Sequence, residues 1–170
     1  VEVSKKGSEL FDKLVSEMET AGVADSSNLK GCTPRQIARL EERYDFRLPV
    51  TFRRYLEVMG RSSGRLFTHD GLCTDYKYLY SATDELRSDL AEYDIEYKLP
   101  EDALVILGRD GEQFNFIRCR GTADSSVWVL NLADKPIRPW VFKRSVLGWL
   151  RAWMDEAAEA VASGWYERRG

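Results

Sequence analysis

Apolar residues recur at helical spacing toward both ends of this chain and alternate between them. Leu10, Phe11, Leu14, Val15 and Met18 fall three and four apart, which predicts an amphipathic helix stopping near Gly22. Residues 23 to 30 are a polar connector. Thr33 is then an N-cap, Pro34 sits where a proline costs a helix nothing, and Gln36 completes a capping box. Ile37, Leu40 and Tyr44 carry that helix forward. Leu48-Pro49 ends it, because the residue before a proline is pushed out of the α region. Phe52, Tyr55, Leu56 and Met59 form the stripe of a second helix, with Gly60 as its C-cap and residues 61 to 64 as a loop. Residues 65 to 80, with their clustered tyrosines, read as a short strand or loop. Thr83 is expected to cap a further helix with Leu86, Leu90 and Tyr93 on one face.

The period changes in the second half. Leu104 to Leu107 is an apolar run, and residues 113 to 119 alternate through Phe114 and Phe116. Between them Arg109-Asp110-Gly111-Glu112 is a hairpin signal, since Asp-Gly accepts positive φ. Val127 to Leu132 predicts a third strand. Ile137 to Phe142 predicts a fourth, which Pro136 and Pro139 confine to an edge or a loop. Ser145 caps a long final helix whose stripe includes Val146, Trp149, Leu150, Trp153, Met154 and Ala157, and Gly164 ends it. Helices first, an antiparallel sheet next and a closing helix make an α+β fold, taken as one domain over residues 1–170.

These elements resemble the SUKH superfamily, the group that contains the fungal Smi/Knr cell-wall-synthesis regulators. One block is Gly31, Thr33, Ile37, Leu40, Glu41, Leu48, Pro49, Phe52, Tyr55, Leu56, Gly60 and Gly64. A second runs from Leu99-Pro100 through Gly108, Gly111, Gln113 and Phe114. A third is Val127 to Leu132 with Ser145, Leu147 and Leu150. The resemblance covers about residues 31–150 and implies N-terminal helices packed on a mostly antiparallel sheet with a long C-terminal helix. It also implies a non-enzymatic protein-binding domain. Bacterial relatives are mostly immunity proteins that bind and neutralise a co-encoded polymorphic toxin, often a nuclease or deaminase. Fungal relatives are regulatory interaction modules.

Charge adds a candidate surface. The net charge is −3, which argues against direct nucleic-acid binding. Between Asp70 and Asp102 stand ten acids and three bases, so that segment carries −7 and the rest of the chain +4. Such a segment suits a cationic protein partner, a toxin under the resemblance, because complementary fields speed encounter. Its other reading is a solvated helix face. Tyr76, Tyr78 and Tyr80 alternate, so one face of that segment carries three tyrosines, turned either to a partner or over the sheet. The candidate partner-binding residues are Asp70, Asp75, Tyr76, Tyr78, Tyr80, Asp84 and Glu85. Trp128 and Trp140 are expected to be buried or half-buried against the sheet, and Trp149 and Trp153 to be core.

Catalytic chemistry is thin. His69 is the one histidine, and beside Asp70 and Cys73 it suggests a Cys–His pair, the remote enzymatic alternative. His69, Asp70, Cys73 and Asp75 lack a standard zinc spacing. No phosphate-binding glycine fingerprint is present. No catalytic residue, metal or cofactor is therefore expected. The three scattered cysteines suit reduced thiols, no apolar run is long enough to span a membrane, and the opening residues carry no signal-peptide apolar stretch. The expected location is cytoplasmic. The identity of the partner, the oligomeric state and any segment ahead of Val1 stay open.

Overall fold

Alternation along two central strands sorts the apolar side chains into two layers. On β4 (Ala103–Arg109), Leu104 and Ile106 point into the larger core while Ala103 and Val105 point into the smaller one. On β5 (Gln113–Arg118), Phe114 and Phe116 join the smaller core and Ile117 the larger. This is the side-to-side period of a sheet buried on both faces. The computed structural model describes residues 2–68 and 71–169.

The larger core is built by four helices: α1 (Glu2–Thr20), α2 (Pro34–Tyr44), α3 (Val50–Met59) and α5 (Val146–Ala162). The smaller is covered by α4 (Tyr76–Glu92), through Ala82, Leu86 and Leu90. The main sheet is antiparallel, ordered β3 (Leu72–Cys73), β4, β5, β6 (Val127–Asn131) and β7 (Trp140–Lys143). A separate two-stranded pair joins β1 (Leu29–Lys30) to β2 (Ser62–Ser63). The expected α+β arrangement with a closing helix is therefore what the chain adopts.

Several local signals act as read. Thr33 Oγ1 accepts from Gln36 N at 3.2 Å and Gln36 Oε1 accepts from Thr33 N at 2.9 Å, a reciprocal capping box with Pro34 in the first turn. Asp110 and Gly111 take φ of 53° and 70° in the β4–β5 hairpin. Ser145 caps α5 by accepting from Gly148 N at 2.9 Å. Trp149 is fully buried and donates through Nε1 to Asn115 Oδ1 at 3.0 Å.

Other expectations hold only in part or fail, for definite reasons. Gly60 is the C-cap of α3 as read, with its N–H bonded to Leu56 O at 3.1 Å, but its φ of −67° is not left-handed. It is small because a Cβ there would meet Cys32 Sγ at 2.6 Å. Thr83 caps nothing. It lies buried inside α4 and its hydroxyl accepts from Val105 N at 2.9 Å, beside the bulge that breaks the β4–β5 register between Val105 and Leu107. Trp140 is 48% exposed on edge strand β7, whereas Trp128 is half-buried and stacks on Phe116. Trp153 is only half-buried. Residues 72 to 80 are not one strand or loop: β3 is brief, and α4 begins at Tyr76.

Candidate partner-binding surface

Asp75 starts α4. Its side chain accepts from Tyr78 N at 2.9 Å, which satisfies one of the free amides of the first turn. Helical rather than extended backbone then redistributes the three tyrosines. Tyr76 and Tyr80, four apart, share a face, with ring centroids 6.2 Å apart. Tyr78 is turned about 200° from Tyr76 around the helix. The premise that one side carries all three is thus corrected.

Each of these side chains is engaged inside the fold. Tyr76 donates through its hydroxyl to Gln36 O at 2.8 Å, tying α4 to α2, and burial pushes that phenol above its ordinary range. Tyr80 lies under the Arg43 guanidinium, 4.5 Å from the ring centroid, and its carbonyl accepts from Tyr44 Oη at 3.0 Å. Asp84 pairs with the same Arg43 at 2.8 Å. Tyr78 lies against the smaller core, where a Cβ at Gly108 would come within 2.1 Å of its hydroxyl. That hydroxyl is buried with no hydrogen-bond partner among the described residues. Burial, with Cys73 and Glu85 nearby, pushes its pKa strongly upward. Glu85 is exposed. Asp70 and His69 lie outside the described residues.

What α4 does leave open is a stripe. Glu85, Asp89 and Glu92 recur four and three apart and are all exposed, about a third of a turn round the helix from the buried Leu86 and Leu90. The stripe runs on into Tyr93, Asp94 and Glu96, also exposed. Tyr93 was expected beside Leu86 and Leu90 in the core, yet it is 70% exposed. The cause is how the helix stops. Asp94 takes φ of 52°, Asp94 N donates to Ala91 O at 3.2 Å, and Ile95 N reaches back to Leu90 O at 2.9 Å. Ile95, packed on the smaller core, takes the buried place that Tyr93 would have held. Asp45 closes α2 the same way, with φ of 51° and Phe46 N bonded to Glu41 O at 3.2 Å. An aspartate before an apolar residue was the available sequence signal; glycine is the usual one.

An apolar groove of about 490 Å³ adjoins this end, lined by Ile95, Tyr97, Leu132 and Ile137, with Glu96 and Asp134 balanced by Lys135 and Arg138 around it. Burial raises the Tyr97 pKa, with the Arg118 charge opposing. None of Glu85, Asp89, Glu92, Asp94 and Glu96 forms an ion pair among the described residues. The acidic stripe itself, with Tyr93 at its end, has the chemistry of a docking face for a cationic protein.

The alternative chemistry gains little. Cys73 is exposed and lines a separate cavity of about 260 Å³ with Tyr55, Thr74, Asp75 and Tyr78. Asp75, the carboxylate there, is committed to capping α4. Cys32 and Cys119 are buried thiols whose pKa values burial raises, Cys32 to about 11. No group of three or more His, Cys, Asp or Glu among the described residues is placed to hold a metal ion. No helix among them is long and apolar enough to cross a membrane.

Comparison with known proteins agrees with the fold. The model of the SMI1 / KNR4 family (SUKH-1) matches residues 31–142, which places the capping box, the Leu48-Pro49 turn and the whole of α4 through β6 inside the match. The chain belongs to this family. No curated protein matches it.

Proposed function

We propose that this SMI1 / KNR4 family (SUKH-1) chain is a non-enzymatic binding protein that acts as an immunity protein. It would neutralise a co-encoded toxin in the cytoplasm by stoichiometric contact. The observation that carries this reading is the exposed stripe Glu85, Asp89 and Glu92 running into Tyr93, Asp94 and Glu96 beside an apolar groove. A toxin that acts on nucleic acid needs a cationic site, and an acidic face competes for that site by covering it. Asp84 and Glu85 begin the contact face. Asp75, Tyr76, Tyr78 and Tyr80 set the position of α4 beneath it.

The test is co-expression with the toxin encoded beside this gene, followed by binding kinetics on the purified pair. Wild type should rescue growth and form a one-to-one complex. The variant carrying Glu85→Lys, Asp89→Lys and Glu92→Lys should slow association by roughly 10- to 100-fold at low salt, with the difference shrinking as salt rises. Unchanged rescue and unchanged association in that variant would show that the stripe is not the contact. A complex with a housekeeping protein and none with the neighbouring toxin would favour the regulatory-module alternative.

A further inference from the structure

The last strand of the sheet is a second, chemically opposite surface. Strand β7 pairs with β6 on one side only, since it ends the order of the five-stranded sheet. No backbone hydrogen bond to its other edge is formed among the described residues. A free strand edge presents a row of unpaired amides and carbonyls, and proteins normally blunt or cover it. Here it is flanked by apolar side chains instead. Trp140 is 48% and Val141 41% exposed, and they alternate to opposite faces of the sheet. Trp140 is braced edge-on against Phe142, with centroids 6.1 Å apart.

Charge says what fits. Residues 135 to 144 contain Lys135, Arg138, Lys143 and Arg144 and no acid, so cations bracket the strand at both ends. None of the four forms an ion pair among the described residues; Lys143 rests over the Phe142 ring at 5.1 Å. A second copy would bring the same cations against these in a two-fold pairing, which like-charge repulsion disfavours. We propose that β7 is a docking edge for an extended acidic segment of a partner protein, added as a sixth strand. Main-chain bonds would supply affinity, Trp140 and Val141 would grip alternate apolar side chains, and the flanking bases would select carboxylates. Lys135 and Arg138 also line the groove beside the acidic stripe on α4, whereas Lys143 and Arg144 belong to the strand edge alone, so a variant at those two tests the edge separately.

The probe is a short peptide alternating glutamate and valine, with a lysine–valine peptide as its counterpart. Titrated into the full chain, the acidic peptide should bind saturably, shift the Trp140 emission and protect the amides of residues 140 to 143 from hydrogen exchange. The variant carrying Lys143→Glu and Arg144→Glu should bind it roughly tenfold more weakly. Wild-type binding should weaken with salt, a readout that needs no variant. No saturable binding, equal binding of the lysine peptide, or protection elsewhere in the chain would each overturn the proposal. So would sedimentation showing a dimer that the Trp140→Ala variant abolishes, because the occupant would then be a second copy.

Discussion

Removing the carboxylate of Glu41 should unfold this protein more effectively than almost any other single polar change. Glu41 is 6% exposed. Oε1 accepts from Leu48 N at 2.9 Å and from Arg53 Nη2 at 2.5 Å, while Oε2 faces Arg47 Nη1 at 3.4 Å. The residue thus ties the end of α2 to the Leu48-Pro49 turn and to α3. That turn is tied in turn to the β5–β6 connection, through Gly121 N to Arg47 O at 2.9 Å and Val50 N to Thr122 O at 3.0 Å. Glu41→Ala leaves Leu48 N unsatisfied and Arg53 unpaired, and should cost about 3–5 kcal/mol. At roughly 2–4 °C per kcal/mol for a chain of this size, the melting temperature should fall by about 6–20 °C. Glu41→Gln keeps an acceptor for Leu48 N and loses the charge, so about 1.5–3 kcal/mol is expected.

The pH dependence separates charge from shape. Burial alone would raise the Glu41 pKa. The bonds from Leu48 N and Arg53, with the Arg53 and Arg47 charges, outweigh it and hold the pKa below the ordinary value of 4.5. A carboxyl whose folded pKa is depressed contributes stability above its unfolded pKa and loses it as pH falls through the folded one. The gap between wild type and Glu41→Gln should therefore be full near neutral pH and shrink below about pH 4.5. Asp102, also depressed through Arg118 and Arg120 against its burial, is present in both proteins and cancels in the difference. Urea unfolding followed by tryptophan emission at about pH 7 and about pH 3.5 measures the gap. A Glu41→Gln variant as stable as wild type at neutral pH, or a gap constant across that range, would refute the reasoning.

Two further substitutions test the packing beneath the candidate surface. Tyr78→Phe deletes a buried hydroxyl without a partner and should leave stability unchanged or raise it by up to about 1–2 kcal/mol in the same assay; a clear loss would show that the hydroxyl is bonded. Gly31→Ala should destabilise by about 3 kcal/mol or more, because the new Cβ would lie 1.7 Å from the Glu57 carbonyl oxygen; near-wild-type unfolding would mean that α3 yields there.

Where a signal was local, the sequence carried it. Thr33, Pro34 and Gln36 need only their neighbours to cap α2, and Asp110-Gly111 needs only its own φ preferences to turn β4 into β5. Where the cause lies across the fold, the sequence was silent. Glu41 reads as one more helix charge until Leu48 and Arg53 fold over it. Gly60 reads as a cap and is one, but nothing local shows that Cys32 will pack against it. Thr83 reads as a helix start until the bulge at Ile106 presents the Val105 amide to its hydroxyl.

The tyrosine segment shows why the candidate surface moved while its charge did not. A short run with tyrosine at every second position satisfies a strand period, and only length and capping arbitrate against a helix. Asp75 and the buried spacing Leu79, Ala82, Leu86 and Leu90 decide for the helix, and that decision alone reassigns each side chain. Tyr76 and Tyr80 turn toward α2 and Arg43, and Tyr78 turns to the smaller core. The exposed stripe passes to Glu85, Asp89 and Glu92. The surplus of acid between Asp70 and Asp102 depends on no period, so it survives the change of element. Under the proposed function, a partner selected by that charge would meet it along the C-terminal part of α4 and at Tyr93, where the acidic stripe and a large exposed ring coincide.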